Sequence, residues 1–440
     1  MALSGNRNET APPGYAADGL IACPACDALH QIVSVPARGR AVCRRCSTPL
    51  YRPMPRSLDH TTALYLAALI LLLIANSFPF VALQMGDRIE QSRLVSASVA
   101  LMQAGMAEVG LVVLLTSVVF PSLTILGMLY LLLATRLGYR PPGKVAVWRV
   151  VQSVMPWSLV GVFMLGLLVS VVKLQDLAVI VPGVAFFAFI GLLVVASAAL
   201  ASFDPAVLWP RVGPALVKID AANADRAAAE SATARGFAHC HVCDLLVSRP
   251  AGQGACPRCQ STLHDWRHGN SLTACSALLL TAAILLVPAN LYPVMTVSRF
   301  GQGEPSTILS GVMSLIQDGA WPLGLLVLFA SFVVPIGKIV ALAFLVASVR
   351  SGSAWRRADR TRLYRLTEVV GAWSMVDIFL VAILVALVRM EGLATVVPGI
   401  GATFFGAAVI VTMLAAHAFD PRLIWQPAPP AASRLQEARA

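Results

Sequence analysis

A chain of 440 residues with 58% hydrophobic and only 12% charged residues is too apolar for an ordinary soluble protein, whose charged fraction is about 25%. The composition therefore defines a membrane protein. The net charge of +11 sits in particular connectors and not in one tail or stripe, so it reads as a topology signal and argues against a nucleic-acid partner.

Residues 1–20 show no periodicity and read as a disordered tail, and residues 1–60 are too polar for a secretory signal. Residues 21–56 carry Cys23-Pro-Ala-Cys26 and Cys43-Arg-Arg-Cys46. Two such pairs form two tight turns that can bring four thiolates around one tetrahedral ion, and the alternating run 30–35 with Gly39 supplies a hairpin between them, which is a zinc-ribbon layout. Paired cysteines in such a segment suggest a reducing compartment.

A first transmembrane module is predicted over 57–205, with apolar spans at 62–82, 105–134, 150–172 and 179–202. A soluble linker follows at 206–236. The second cluster, Cys240-His-Val-Cys243 with Cys256-Pro-Arg-Cys259, defines another zinc ribbon at 237–268. His30, His239, His241 and His264 lie near the clusters, but four thiolates already complete each site. A second module occupies 269–425, with spans at 272–294, 321–347, 368–388 and 396–418, and residues 426–440 form a Pro- and Ala-rich tail. Each span is long enough to cross a hydrocarbon core of about 30 Å. Cys275, the ninth cysteine, reads as a small apolar span residue.

The connectors orient these eight spans. Arg38, Arg40, Arg44, Arg45, Arg52 and Arg56 precede the first span, Arg136, Arg140, Lys144 and Arg149 follow the second, and six arginines between Arg350 and Arg365 follow the sixth. The alternate connectors carry few basic residues. By the positive-inside rule both termini and both ribbons face the cytoplasm.

The chain also repeats itself. Asn76-Ser77-Phe78-Pro79 returns as Asn290-Leu291-Tyr292-Pro293 at an offset of 214. Trp157-Ser158, Val181-Pro182-Gly183 and Phe203-Asp204-Pro205 return as Trp373-Ser374, Val397-Pro398-Gly399 and Phe419-Asp420-Pro421 at an offset of 216. The predicted fold class is thus an all-α polytopic membrane protein of two tandem parallel modules of four transmembrane helices, each preceded by a small cytoplasmic zinc ribbon. A pseudo-twofold axis along the membrane normal would place a central site between the modules.

Several span residues are candidates for a transport cavity. Lys338 and Asp377 fall at one depth on neighbouring antiparallel spans, where the first module has Thr124 and Gly161, and intramembrane charges usually pair and face a cavity; the alternative is a buried pair that only locks the helices. Ser158 and Ser374 can line the same region. Asn76 and Asn290 can cap or cross-link helices at the outer side. Pro121 and Pro335 break the hydrogen-bond ladder of spans two and six, either to expose carbonyls to a cavity or simply to pack. No Walker loop, H-E-x-x-H or Ser/His/Asp set stands out, so no enzyme activity is predicted.

The two ribbons, each followed by four spans whose first ends in Asn-x-x-Pro, resemble the paraquat-inducible protein A family over residues 21–425. The resemblance implies an inner-membrane protein of Gram-negative bacteria that works with a periplasmic MCE-domain partner, whose stacked rings form a hydrophobic tunnel, and that passes membrane lipids to or from it. It also implies that the eight paired cysteines bind two Zn2+ ions and that Lys338, Asp377 and Ser374 border the transport cavity. Two readings without that partner stay open: a stand-alone ion-coupled exporter of small molecules and a zinc-dependent membrane scaffold.

Overall fold

The computed structural model describes residues 20–426 apart from 34, 37–38, 53–56, 86–87, 140–141, 175–178, 206–208, 210–230, 249–253, 264–269, 300–301, 318, 320, 372–374, 388 and 391–393. The two predicted tails, most of the linker and His264 therefore lie outside the described residues.

The first ribbon consists of two short hairpins, β1 (Leu20–Ala22) with β2 (Leu29–Gln31) and β3 (Ala41–Val42) with β4 (Pro49–Tyr51). The first module then runs through α1 (Ser57–Ser77), β5 (Val81–Met85), β6 (Arg88–Ser92), α2 (Leu94–Gln103), α3 (Ala107–Leu114), α4 (Phe120–Arg136), α5 (Lys144–Val154), α6 (Val160–Leu174), β7 (Val179–Pro182) and α7 (Val184–Ser202). After the second ribbon, with its hairpin β8 (Phe237–His239) and β9 (Leu246–Ser248), the order repeats: α8 (Ser271–Leu291), β10 (Met295–Arg299), β11 (Gln302–Ser306), α9 (Ile308–Gln317), α10 (Trp321–Leu328), α11 (Val334–Arg350), α12 (Arg357–Gly371), α13 (Val376–Leu387), β12 (Arg389–Met390), β13 (Ala394–Pro398) and α14 (Ile400–Ala418).

Among the described residues, seven helical stretches are long and apolar enough to cross a membrane. They cover every expected span except 368–388. That segment is divided between α12, which is polar, and α13, whose twelve residues reach only about 18 Å. The span expected at 150–172 is also interrupted: a 3-10 turn at Met155–Trp157 separates α5 from α6. Pro156 within that turn supplies the reason, because it cannot donate to the ladder and disfavours helix for the residue before it.

The expectation of an all-α fold needs correction at the connectors that follow the first span and precede the last span of each module. These form antiparallel sheets of order β6-β5-β7 in the first module and β11-β10-β13-β12 in the second. The alternation of Val81-Ala82-Leu83-Gln84-Met85 before Gly86-Asp87, a dipeptide suited to a two-residue hairpin, carried this signal. The connector before the last span of each module adds the third strand, β7 or β13, against the same hairpin.

Within each module the first and fourth spans pack together, α1 on α7 and α8 on α14. Tyr65, Ala68, Leu72 and Ala75 form the buried stripe of α1 at helical spacing, while Leu66, Ile70 and Leu73 face outward. Both faces are apolar, so packing and not polarity selects the inner one. The buried face of α14 is rich in Gly and Ala, which lets α8 approach closely and buries Cys275.

The modules meet where α6 packs on α13. Phe163 and Phe379, equivalent at an offset of 216, touch edge to face with ring centroids 5.3 Å apart. Contact between equivalent residues is what a twofold axis produces. This aromatic pair occupies the junction between α6 and α13 at that point.

Candidate metal centres and intramembrane polar site

The same local geometry builds all four cysteine knuckles. In each, the N–H of the residue after the second cysteine donates to the carbonyl of the first: Asp27 to Cys23, Ser47 to Cys43, Asp244 to Cys240 and Gln260 to Cys256, at 2.8–3.0 Å. Those four residues take the left-handed conformation, with φ between 53° and 59°, which is uncommon without glycine. The turns converge the sulfurs, and each group of four buried Sγ atoms lies within 4.8 Å of one another. Cys23 and Cys26 stand 3.5 Å from Cys46 and Cys43, and Cys240 and Cys243 stand 3.4 and 3.5 Å from Cys259 and Cys256.

Such crowding suits a metal ion. Hydrogen bonding from Cys23 holds the Cys43 thiol far below its ordinary range, and bonding from Cys243 does the same to Cys240. Proton sharing with Cys23 and burial push Cys26 up, as Cys240 and burial push up Cys243. Four sulfurs thus compete for few protons in a dry pocket, an arrangement that a divalent cation resolves by binding all four as thiolates. His30 Nε2 stands 3.1 Å from Cys43 Sγ, and the Thr48 and Ser261 hydroxyls stand 3.0 and 2.9 Å from Cys46 and Cys259. These groups surround and orient the sulfurs, as partners outside a ligand set do. His239 faces Asp244 at 3.4 Å, and His241 contacts Arg422.

The ribbons dock crosswise. Arg365 of α12, in the second module, donates to the Cys46 and Ser47 carbonyls of the first ribbon, and Arg45 lies 4.6 Å from the Trp425 ring centroid. The second ribbon receives the Trp148 Nε1–H of the first module on the Val242 carbonyl at 2.8 Å, with Arg258 over Trp209. The first ribbon also binds the end of the linker: Asp27 Oδ2 accepts from the Thr233 N–H and hydroxyl at 3.0 and 2.6 Å.

In the membrane, Lys338 on α11 is buried, with 4% exposure. Its Nζ occupies the space beside Gly371, 2.7 Å from where a Cβ would stand, at the end of α12. The ammonium thus lies at the C-terminal end of α12. Asp377 is the second residue of α13, but its side chain and the whole of Ser374 lie outside the described residues. Ser158 is half-buried at the equivalent interruption of the first module. Asn76 and Asn290 each donate through Nδ2 to their own helix, to Leu72 and Leu286 at 2.8 Å, and do not cross-link helices among the described residues.

Pro121 and Pro335 each follow a π-helical turn, Leu115–Val119 and Phe329–Val333. A five-residue ladder there would require the Thr116 carbonyl to bond residue 121, and proline has no N–H. The Leu159 N–H, beside Ser158, takes that carbonyl at 3.3 Å instead. The first-module proline therefore ties span two to the break in span three. Sequence reading missed another repeated tie: Ser57 Oγ donates to the Ser202 carbonyl and accepts from the Asp204 N–H, and Ser271 makes the same pair of bonds with Ala418 and Asp420.

The fold and its sites define a duplicated polytopic membrane protein with two buried four-cysteine groups that could each hold a metal ion. The paraquat-inducible protein A family model matches residues 58–213 and 272–428, and the chain belongs to this family. It is 34% identical over 410 residues to the Escherichia coli intermembrane transport protein PqiA, covering 93% of this chain and 96% of that protein. It is 29% identical over 406 residues to the Escherichia coli lipophilic envelope-spanning tunnel protein A, covering 92% and 90%. A probable intermembrane transport protein of Haemophilus influenzae is 27% identical over 417 residues, covering 92% and 96%. No solved structure matches the chain.

Proposed function

We propose that the protein is the inner-membrane component of an envelope lipid transport system and passes lipid between the inner membrane and a periplasmic MCE-domain tunnel. The observation that carries this reading is its end-to-end similarity to relatives named for intermembrane transport and for an envelope-spanning tunnel. Loop charge supports placing both termini and both ribbons in the cytoplasm, with the sheets β6-β5-β7 and β11-β10-β13-β12 on the periplasmic side. On this topology the sheets are the surface that meets the tunnel.

The ribbons hold zinc as structural sites. Four thiolates close a tetrahedral site and leave no position for water or substrate. Lipid handling therefore belongs to the membrane portion, where Lys338 and Asp377 form the polar lining near the end of α12 and the start of α13. The eighth crossing is made by α13 together with its flanking residues.

Crosslinking from connectors 83–100 and 296–312 to an MCE-domain protein tests the partnership. Adducts from both connectors are expected, and the absence of any adduct sinks the reading.

A further inference from the structure

The two copies of the module differ most usefully beneath the outer sheets. In the first, Phe80 packs edge to face against Phe163, Phe186 and Phe189, with ring centroids 5.5–6.2 Å apart. The repeat places Val294, Phe379, Ala402 and Phe405 at the equivalent positions of the second module. Two of the four aromatic rings are thus absent. Where Phe80 and Phe186 stand, Val294 and Ala402 border a narrow apolar cavity with about 50 Å³ of accessible room behind its mouth.

The cavity wall is apolar. Ile378, Val381 and Phe405 form much of it, and its two hydroxyl residues are engaged elsewhere: Ser306 donates to the Met295 carbonyl at 3.1 Å, and Thr307 exchanges bonds with Ser310 at the start of α9. Gly311 lies on the rim, and a Cβ added there would meet nothing within 4 Å. Beside it Leu309 and Met313 are exposed and apolar, so the mouth adjoins a surface suited to hydrocarbon. An unfilled apolar cavity forfeits dispersion contacts and excludes water, and a flexible hydrocarbon chain supplies those contacts with no need for polar partners.

We propose that the second module holds the end of one acyl chain of a membrane lipid in this pocket, and that the first module does not because Phe80 and Phe186 fill the same place. This deepens the lipid-transfer reading above and rests on it. The pocket gives the duplicated protein one lipid-holding half and one half in which aromatic rings fill that place.

The test uses the full chain reconstituted with phosphatidylethanolamine carrying a diazirine in one acyl chain. Photolabel is expected on the lining helices α13 and α14, at Phe405 or its neighbours. The Val294→Phe and Ala402→Phe double variant, which installs residues the first module already accommodates, should lower that label about tenfold or more. Unchanged thermal unfolding and metal content would show that the variant is folded. A reciprocal variant, Phe186→Ala, should gain label in the first module.

Label confined to outward residues such as Leu309 and Leu325, equal in wild type and double variant, overturns the pocket. Transfer of the same lipid from vesicles to a soluble MCE-domain protein is measured in parallel. Pocket labelling without transfer upholds the pocket and overturns the transport reading; transfer without pocket labelling does the reverse.

Discussion

A carbonyl oxygen stands where a side chain on Gly183 or Gly399 would begin. A Cβ on either would lie 2.1 or 2.2 Å from the oxygen of Pro79 or Pro293, and the glycine N–H groups bond the next carbonyls, of Phe80 and Val294, at 3.1 and 2.8 Å. The repeated Asn-x-x-Pro and Val-Pro-Gly motifs are thus two sides of one contact, which neither motif reveals alone. Gly183→Ala and Gly399→Ala should each cost about 1–3 kcal/mol through forced backbone movement, read as a lowered unfolding temperature in detergent. The proposed Lys338–Asp377 pair calls for a different experiment. Lys338→Met or Asp377→Asn alone should abolish lipid transfer and destabilise the fold by about 3–5 kcal/mol, because the surviving charge is left unpaired. The double variant should recover stability but not transfer; recovery of both would reduce the pair to a structural lock.

At the scale of elements, metal in the proposed sites would supply much of the ribbons' folding energy. Each contains only short hairpins, and a segment this small cannot bury enough apolar surface to hold itself together. Cys23→Ser should reduce bound metal from two equivalents per chain to one and free the first ribbon from Arg365 and Trp425. Metal analysis and protease sensitivity around residues 20–51 would check it. Retention of both ions with an unchanged digest would contradict a structural role. The interrupted helices obey a related economy of backbone groups. Pro121 deprives the Thr116 carbonyl of its ladder partner, and the broken third span supplies the Leu159 N–H, so the discontinuity in one element satisfies the discontinuity in the next.

Across the whole molecule, the chain crosses over itself. The first ribbon is held by the second module, and the second ribbon by Trp148 of the first module and Trp209 of the linker, while Arg422 reaches it from the chain's far end. Any rotation of one module against the other must therefore move a ribbon docked on its neighbour. At the module junction, where α2 also packs on α13, Phe163 and Phe379 supply the aromatic contact. Phe379→Ala should destabilise by about 3–5 kcal/mol, and the loss should appear as earlier separation of the modules in hydrogen exchange on α6 and α13. If exchange on α6 stays unchanged, the ring pair does not carry the junction.

The sequence by itself determined the duplication, the two cysteine clusters, six of the spans as continuous or nearly continuous helices and the family, because cysteine spacing, apolar length and an internal offset are properties of linear order. It also singled out Lys338, since a charge in an apolar run stands out wherever the helix goes. Only the tertiary structure decided what those features meet. The outer sheets depend on pairing between β5 and β7, or β10 and β13, which stand about ninety to a hundred residues apart and carry no shared local signal. The crossed ribbons, the aromatic junction and the difference between the filled and open pockets depend likewise on contacts between distant segments, where one ring more or less changes the space that is left.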